Sequence, residues 1–290
     1  MERRAEERGA KDEGRGAQVE ERRTTDSPLA PRQAPPYLSL IIPAYNEGAR
    51  LGDTLSAVTA YLRAQRYRWE VLVVDDGSAD DTLALATGFA REHPNVAVVA
   101  NPHRGKAYAV RSGVARARGK VVGFTDADLS TPIEALGAVL PRLADGYDVV
   151  IGSREGAGAV RRDEPLHRHL MGRAFNGLVQ LLALPGIQDS QCGFKALRGP
   201  VAHELFGAVL LYGEGARPPR GPAVTGFDVE LLYLARRRGY RIAEVPVCWR
   251  HFQNSKVNPL RDSWRLLRDV LTVRLNAWLG RYARDVKREA

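Results

Sequence analysis

The sequence predicts an α/β protein whose mostly parallel central sheet is covered by helices on both faces. The first observation is a series of short apolar runs, rich in β-branched residues, that are typical of strands. These strands are expected at 37–43, 70–75, 96–100, 121–126 and 148–152. The second observation is helical periodicity between the runs. Such alternation is typical of a parallel sheet that is buried on both sides.

The helical stretches show apolar side chains at three- and four-residue steps. They form three groups: Leu51, Leu55, Val58 and Leu62; Ile133, Leu136, Leu140 and Leu143; and Met171, Phe175, Leu178 and Leu182. After the third group, the sequence predicts a loop containing DSQCGFK, a helix at 227–238, a strand near 241–247 and a long helical stretch from about 260.

The 290 residues are best explained by one main domain with an attachment at each end. Residues 1–36 are rich in Arg, Glu, Gly and Ala and have almost no large apolar side chains, so we expect a disordered tail. Residues 37–258 contain the alternating pattern and form the main domain. Residues 259–290 are predicted to form a basic amphipathic C-terminal helix.

The composition, 44% hydrophobic and 27% charged, is that of an ordinary globular protein. No apolar run approaches the ~18 to 20 residues that a membrane-spanning helix needs, and the N-terminus is too charged for a secretory signal. Cys192 and Cys248 are the only cysteines, which argues against a disulfide framework or a Cys-rich zinc site. We therefore expect a cytoplasmic protein without a membrane-spanning helix.

Positive charge is concentrated in the second half of the chain. The formal net charge is +9, and residues 159–290 alone carry 22 basic and 12 acidic groups. An anionic partner is therefore expected to meet this half. Anionic lipid and a phosphorylated substrate are both candidates, whereas nucleic acid is disfavoured because no RNA- or DNA-binding signature is present.

Acidic residues follow three strands of the predicted sheet. Glu47 comes after the first strand, Asp75 and Asp76 end the second, and Asp126 and Asp128 follow the fourth. In parallel sheets, ligands bind at the carboxyl ends of the strands. Asp76 alone could cap the next helix. Asp126 and Asp128, by contrast, lie one residue apart at a strand end, where two ionised carboxylates repel each other unless a cation joins them.

The ligand chemistry of this pair favours a hard divalent ion. Oxygen ligands without His or Cys favour Mg²⁺ or Mn²⁺ over Zn²⁺, and Mg²⁺ commonly bridges one or two carboxylates to substrate phosphates. We therefore predict that Asp126 and Asp128 hold Mg²⁺ or Mn²⁺ with a nucleoside diphosphate. The P-loop signature is absent, and no G-x-G-x-x-G follows the first strand, so kinases, ATPases and dinucleotide oxidoreductases are disfavoured.

Eight motifs spread over roughly residues 37–275 resemble those of one enzyme family. They are PAYNE, VVDDGSADDT, NPHRGKAYAVRSG, DADLSTP, GSR, DSQCGFK, GFDVELLYLARRRGYRIAEVPVCW and NSKV. The sequence is similar to glycosyltransferase family 2, in its dolichyl-phosphate glucosyltransferase and dolichol-phosphate mannosyltransferase branch, and closest to the glucosyl members. The resemblance implies that the main domain, 37–258, is a catalytic domain with the GT-A fold, a nucleotide-sugar donor, a polyprenyl-phosphate acceptor and inversion at the anomeric carbon.

The resemblance also implies which residues contact the donor. The nucleotide-sugar site is expected to contain Pro43, Ala44, Tyr45, Glu47, Asp75, Asp76, Lys106, Asp126, Ala127 and Asp128. Within it, Asp76 is expected to reach the base, and Asp126 and Asp128 to face the ribose and the metal-bound diphosphate. Ser130 occupies a position where mannosyl members can place a further metal ligand, but serine is a weaker ligand. Lys106 is either a diphosphate contact or a solvated surface lysine.

The acceptor side is expected to be rich in arginine, because arginine binds phosphate in a bidentate manner and stays charged. The predicted acceptor-binding residues are Arg154, Arg161, Arg162, Arg168, Gln191 and Lys195. For Gln191 and Lys195, a structural role is the equally open alternative. The catalytic residues are predicted to be Asp128, Arg154, Arg161, Arg168 and Asp189. A lipid phosphate is already an anionic nucleophile, whereas a sugar hydroxyl needs a carboxylate base, for which Asp189 is the candidate.

Two hypotheses for the reaction remain open at this stage. The first is transfer of glucose from UDP-glucose to a polyprenyl (dolichyl-type) phosphate, giving a β-linked product. The alternative is another family 2 transferase that uses GDP-mannose, or that acts on a hydroxyl of a glycan or small metabolite.

The C-terminal helical stretch allows three interpretations. Its apolar residues recur at helical steps, with a group of arginines beside them. The residues are Leu260, Trp264, Leu267, Leu271, Leu275, Trp278 and Tyr282, and the arginines are Arg261, Arg265 and Arg268. Such a helix packs on the catalytic domain, forms the seam of a homo-oligomer, or lies on the cytoplasmic face of a membrane as a peripheral contact.

Overall fold

The computed structural model describes residues 34–162, 166–212, 226–250 and 259–282. Its nine strands are β1 (Leu38–Ala44), β2 (Trp69–Asp75), β3 (Val96–Ala100), β4 (Val121–Phe124), β5 (Val149–Ser153), β6 (Val160–Arg162), β7 (Lys195–Arg198), β8 (Ile242–Pro246) and β9 (Cys248–Arg250). Its eight α-helices are α1 (Gly48–Arg63), α2 (Thr82–Glu92), α3 (Lys106–Arg116), α4 (Leu136–Ala144), α5 (Leu166–Leu182), α6 (Gly199–Ala208), α7 (Phe227–Arg237) and α8 (Pro259–Trp278).

Seven strands form one sheet in the order β3-β2-β1-β4-β7-β5-β8. All neighbouring pairs are parallel except the two made by β7, which runs antiparallel to β4 and β5. A separate two-stranded parallel sheet joins β6 to β9. The predicted fold class is therefore confirmed, with one reversed strand inside the sheet.

Helices cover both faces because the strands are buried on both sides. Within β1, Leu40 and Ile42 face a core built with α1 and α4, whereas Ile41 faces a second core built with α3, α6 and α7. Side chains alternate between the two faces of a strand, so a continuous apolar run supplies both cores. The carboxyl ends of the parallel strands remain uncovered by this arrangement and meet at one edge.

The C-terminal helix α8 packs on the second core. Val270 and Val273 belong to it, as does Tyr282 just beyond the helix. The Tyr282 hydroxyl donates to Glu230 Oε1 of α7 at 2.7 Å, and the Gly226 amide donates to Asp269 Oδ2 at 3.0 Å. One face of the predicted amphipathic helix is therefore part of the domain.

Three features of the fold differ from the sequence predictions. β7 lies where we predicted a continuous loop, and α6 and the short pair β6–β9 were not predicted. The predicted tail falls almost wholly on residues 1–33, which lie outside the described residues, as do the glycine- and proline-rich stretch at 213–222 and the NSKV motif. Within the described residues, no helix is both long and apolar enough to cross a membrane.

A buried carboxylate connects β1, β2 and the segment before β4. Glu70 is 4% exposed and accepts hydrogen bonds from the Ser39 hydroxyl at 2.6 Å and from the Arg118 amide at 3.0 Å. The Arg118 guanidinium reaches the other carboxylate oxygen through Nη2 at 2.7 Å and Nε at 3.1 Å. Four donors thus depend on one side chain at the amino ends of the central strands.

We expect Glu70→Ala to lower the free energy of unfolding by about 3 kcal/mol, because it leaves buried donors and a guanidinium without their acceptor. Urea denaturation monitored by circular dichroism measures the change. The matched control is Asp145→Ala, which removes an exposed ion pair with Arg142 at 3.8 Å and should change stability by less than about 0.5 kcal/mol. Equal effects of the two substitutions would contradict the structural role of Glu70.

Candidate active site

The uncovered edge of the sheet brings together most of the residues that the sequence predicted for the donor. Tyr45 follows β1, Asp75 ends β2, and Asp126 follows β4. Because β7 is reversed, its first residue, Lys195, starts at this same edge. Arg154 follows β5 and completes the row. Four charged groups and one aromatic side chain, from five neighbouring strands, therefore converge at one place.

The loops after β1 and β2 hold each other in position. Asn46 adopts a positive φ of 54°, donates its amide to Ser78 Oγ at 2.9 Å, and accepts the Ala79 amide on Oδ1 at 2.8 Å. The Glu47 amide donates to Thr82 Oγ1 at 2.8 Å. These contacts place the aromatic ring of Tyr45, which stacks on His103 with ring centroids 4.1 Å apart.

Three other residues were predicted to contact the donor. Pro43 and Ala44 lie buried within β1, and the Glu47 carboxylate pairs with Arg50 at 2.9 Å. His103 was not assigned a role in the sequence analysis. Its position within NPHRGKAYAVRSG was the only signal, and nothing in one sequence shows that its ring stacks on Tyr45.

Asp75 and Asp76 have different environments although they are adjacent. Asp75 Oδ2 accepts the amides of Gly77 and Ser78, and its buried Oδ1 has no hydrogen-bond partner. Both oxygens of Asp76 are used: Oδ1 accepts the Arg104 amide, and Oδ2 accepts the Gly105 amide and contacts His103 Nδ1 at 2.9 Å. Burial raises the pKa of Asp76 despite these hydrogen bonds.

In this geometry the Asp76 carboxylate is hydrogen-bonded within the protein, and its contact with the base stays a prediction. The Asp76 carboxylate orients the segment that precedes α3. The buried carboxylate oxygen that lacks a hydrogen-bond partner is Oδ1 of Asp75. Buried polar atoms without a partner are rare and mark places where a ligand can supply one.

Lys106, at the first turn of α3, reaches across the edge to the acidic pair. Its ammonium forms a short ion pair with Asp126 Oδ1, and both side chains are about one-third exposed. Burial alone would lower the pKa of Lys106, but the carboxylates of Asp126, Asp228 and Asp128 raise it above its usual value. Burial would likewise raise the pKa of Asp126, which the Lys106 charge instead lowers. The lysine is therefore bound to the site rather than solvated.

The loop after β4 is held rigidly on both sides. The Ala127 carbonyl accepts the Thr54 hydroxyl of α1 at 2.6 Å, and Asp128 Oδ1 accepts the Ser130 amide at 2.9 Å. On the other side Gly193 leaves room for Asp126, since a Cβ at this glycine would lie 2.0 Å from Asp126 Oδ2. Only glycine fits at position 193 while Asp126 keeps this orientation.

The acidic pair fits a divalent ion that is shared with a diphosphate. No group of three or more His, Cys, Asp or Glu side chains suited to a metal occurs in the part of the chain that the structure describes. Mg²⁺ and Mn²⁺, however, are commonly held by one or two carboxylates together with substrate phosphates. The Lys106 ammonium already shows that the carboxylates of Asp126 and Asp128 attract a cation to this point.

Arg154 and Asp189 form the main ion pair on the acceptor side. Arg154 Nε and Nη2 each lie 2.7 Å from a different oxygen of Asp189, and the Arg154 amide donates to Oδ2 at 2.9 Å. Burial would raise the pKa of Asp189, but the Arg154 guanidinium holds it below its usual value. The amide of Asp189 is fixed in turn by Glu244 Oε1 at 3.0 Å.

The other predicted acceptor residues lie around this pair. Arg161 Nη2 pairs with Glu155 Oε1 at 2.6 Å, and its Nε donates to the Arg154 carbonyl at 3.0 Å. Arg162 is exposed at the end of β6. The backbone N–H of Gln191 donates to Asp189 Oδ1 at 3.3 Å. Arg168 lies on α5, but its side chain is outside the described part of the structure.

Lys195 lies in the interior, which agrees with the structural alternative for this residue. Its side chain is completely buried, and its ammonium donates to Asp228 Oδ1 at 2.6 Å and to the Cys192 carbonyl. The ammonium also lies 5.7 Å from the centroid of the Phe124 ring. It therefore cannot contact an acceptor directly, and its charge instead supports the ionised state of Asp126 from below. Nothing in the sequence pattern indicates this burial, because β7 itself was not predicted.

Comparison with known proteins identifies the family. The model of glycosyl transferase family 2 matches residues 39–206. The chain belongs to glycosyl transferase family 2. It is therefore a glycosyltransferase, as the motifs predicted.

Two curated relatives and one solved structure illustrate the match. A dolichyl-phosphate beta-glucosyltransferase of Drosophila melanogaster is 34% identical over 260 residues, covering 84% of this chain and 76% of the relative. One from Trichomonas vaginalis is 33% identical over 235 residues, covering 76% of this chain and 66% of the relative. Glucosyl-3-phosphoglycerate synthase of Mycobacterium tuberculosis, solved with Mn²⁺ and UDP, superimposes with a TM-score of 0.60 at 20% identity, over 82% of this chain and 80% of that one. This last similarity confirms the expected GT-A fold.

Gly193→Ala should abolish most of the transfer activity, because the added methyl group must push Asp126 out of its position. Displacing a site residue by about 1 Å commonly costs on the order of 100-fold in rate. Steady-state kinetics with a nucleotide-sugar donor measures the loss. The control is Gly52→Ala, where the methyl meets nothing within 4 Å on a helix surface, and activity should be unchanged.

Asp189→Asn should lower stability at neutral pH by about 3 kcal/mol, because it leaves the Arg154 guanidinium without its counter-charge. The pKa of Asp189 is depressed in the folded protein, so its contribution is complete above the unfolded pKa of about 3.9 and is lost as the pH falls through the lower, folded value. Wild-type and variant stabilities should therefore converge as the pH falls below about 4. A difference that stays constant in urea titrations between pH 7 and pH 3 would refute this assignment.

Proposed function

We propose that this protein transfers glucose from UDP-glucose to a polyprenyl phosphate, forming a β-linked polyprenyl-phosphate glucose. The names of its curated relatives support both the sugar and the class of acceptor, since they are dolichyl-phosphate beta-glucosyltransferases. The similar fold of an enzyme solved with UDP and Mn²⁺ agrees with a nucleotide-sugar site at this edge of the sheet.

The observation that carries the proposal is the state of Asp189. A hydroxyl acceptor must lose a proton as it attacks, so its enzyme needs a carboxylate of adequate basicity. Asp189 is the carboxylate predicted for that task, yet its two oxygens face Arg154 at 2.7 Å and its pKa is lowered. An acceptor that is already an anion needs no such base. The geometry therefore favours attack by a phosphate oxygen.

The donor is bound, in this proposal, by the two loops after β1 and β2. Asp75 Oδ1, which is buried without a partner, can accept an N–H from a nucleobase, and the stacked rings of Tyr45 and His103, carried by neighbouring loops, supply an aromatic surface for the donor. Asp76 holds the His103 segment in place. Uracil N3–H is a donor of the required kind.

The diphosphate is expected beside Lys106, Asp126 and Asp128. A divalent ion bound there supplies positive charge that stabilises the leaving diphosphate. Asp126 and Asp128 would hold it, and the Lys106 ammonium, released from Asp126, would remain close enough to neutralise a phosphate oxygen. Positive charges held close to the place where negative charge develops are a main source of stabilisation for such leaving groups.

The acceptor phosphate is expected near Arg161 and Arg162, next to the Arg154–Asp189 pair. Asp189 fixes the Arg154 guanidinium, and the backbone carbonyl of Arg154 accepts a hydrogen bond from Arg161 Nε at 3.0 Å. Arg162 is exposed at the end of the same strand, β6. These residues can align an anionic oxygen opposite the leaving group, which is the remaining task of the enzyme.

The test uses purified full-length protein, Mn²⁺ and radiolabelled UDP-glucose with two matched lipids in detergent, a polyprenyl phosphate and the same polyprenol without phosphate. We expect label only in the phosphate-bearing lipid. GDP-mannose as donor, and 3-phosphoglycerate as a soluble acceptor, are the comparison reactions. Label in the polyprenol or the soluble acceptor, with none in polyprenyl phosphate, would overturn the proposal.

Asp128→Asn should reduce transfer by at least about 100-fold and should weaken UDP binding only when Mn²⁺ is present, because it removes a charge that joins the metal to the diphosphate. Calorimetric titration of UDP with and without Mn²⁺ separates these effects. Asp81→Asn is the matched control, since Asp81 is an exposed acid in the β2–α2 loop. Unchanged metal-dependent binding in Asp128→Asn would exclude this role.

A further inference from the structure

Helix α8 has an outer face of large apolar side chains that the described residues leave exposed. They recur at steps of seven, four and three residues, so they lie along one side of the helix. The residues of this α8 outer face, with their exposed fractions, are Trp264 (71%), Leu271 (51%), Leu275 (52%) and Trp278 (82%). The opposite side of α8 is buried in the domain core. The helix is therefore apolar on two sides, and only one of them is covered by other described residues.

The size of this face is unusual for a surface exposed to water. The two tryptophans alone expose roughly 300 Å² of side chain, if each has about 200 Å² in total. Apolar patches of this size on soluble proteins mark sites of interaction. Helix α5, which packs against α8, exposes Leu181 (81%) and Met171 (37%) as well.

The charge around the α8 outer face is positive. Arg268, Arg274 and Arg281 are exposed along α8 and just after it. The only acid between Trp264 and Tyr282 is Asp269, which is buried and bonded to Tyr212 and Gly226. Helix α5 has no acidic residue in its sequence. Arg268 Nη2 lies 3.9 Å from Asp269 Oδ1, whereas no acidic side chain among the described residues pairs with Arg274 or Arg281. The surface therefore combines apolar side chains with an excess of positive charge.

We propose that the α8 outer face docks on the surface of an anionic lipid bilayer. Tryptophan prefers the interface between headgroups and acyl chains, and an amphipathic helix with basic residues beside its apolar face binds anionic membranes in this orientation. Trp264 and Trp278 lie 14 residues apart, about 21 Å along the helix, so both ends of the face carry an interfacial anchor. The arginines meet lipid phosphates on either side.

A second copy of the chain fits this face less well. A symmetric contact through α8 places the same surface of both copies together. Arg268 and Arg274 would then approach their equivalents, and between Trp264 and Trp278 the helix has no exposed acid to compensate them. Anionic lipid supplies the missing negative charge, and a second copy does not.

The docking surface goes beyond the proposed function, because it concerns membrane lipid in general rather than the acceptor. The test is flotation of the full-length protein with vesicles of phosphatidylcholine alone, or with 30% phosphatidylglycerol, in the absence of polyprenyl phosphate and donor. Transfer in detergent is measured separately, so failure of the docking proposal and failure of the proposed reaction give different results.

We expect the wild type to float with the anionic vesicles at low salt and to bind neutral vesicles at least tenfold more weakly. Trp264→Ser/Trp278→Ser and Arg268→Glu/Arg274→Glu should each weaken binding to anionic vesicles by at least tenfold. The matched controls are Leu85→Ser/Leu210→Ser and Arg66→Glu/Arg91→Glu, which change exposed residues elsewhere and should stay within twofold of wild type. Circular dichroism and thermal melting verify that each variant is folded.

Three results would overturn the inference. The wild type does not float with anionic vesicles at low salt; the tryptophan variant floats as well as the wild type; or sedimentation shows a wild-type dimer that Trp264→Ser/Trp278→Ser converts to a monomer. The last result would assign the face to a second copy of the chain.

Discussion

The active edge of this protein depends on the pairing of opposite charges that are partly or fully removed from water. Ionised groups in such places are stable only when a counter-charge and hydrogen bonds replace the lost solvent. Lys106 faces Asp126, Arg154 faces Asp189, and Lys195 faces Asp228. Each pair joins two different segments of the chain, so the charges also fix the loops that carry them.

The three ion pairs differ in how easily a ligand can reach their charged groups. Lys195 and Asp228 are almost completely buried, which makes their pair a permanent part of the domain. Lys106 and Asp126 are each about one-third exposed, so a divalent ion and a diphosphate can reach them. Arg154 and Asp189 are intermediate, with exposed fractions of 21% and 5%. Burial thus separates charges that support the site from charges that are available to ligands.

The sequence was sufficient for most of the fold and for the family. The five predicted strands match β1 to β5 within two residues at each end, because short apolar runs of β-branched residues bounded by turns give a clear pattern. β7 was missed since its four residues, Lys195–Arg198, include two charged ones and show no alternation. A single buried lysine of this kind is explained only by its three-dimensional partners, Asp228 and Cys192.

The sequence was sufficient to predict which residues lie at the site, but not what each of them contacts. Spacing alone placed Asp126 and Asp128 at the correct edge, yet it could not show that Asp76 is enclosed by three donors while Asp75 keeps a free oxygen. The role of Gly193 was also hidden, because a glycine in a predicted loop has many explanations. Its close approach to Asp126 becomes visible only from the distance between them.

The short segment from Asp189 to Gly193 connects the proposed acceptor side of the site to the proposed donor side. Its first residue fixes Arg154, and its last gives space to Asp126. Replacing this segment to change the acceptor would therefore also displace Asp126 and disturb donor binding. Engineering of acceptor choice should leave these five positions intact and begin at β6, whose Arg162 is exposed to solvent.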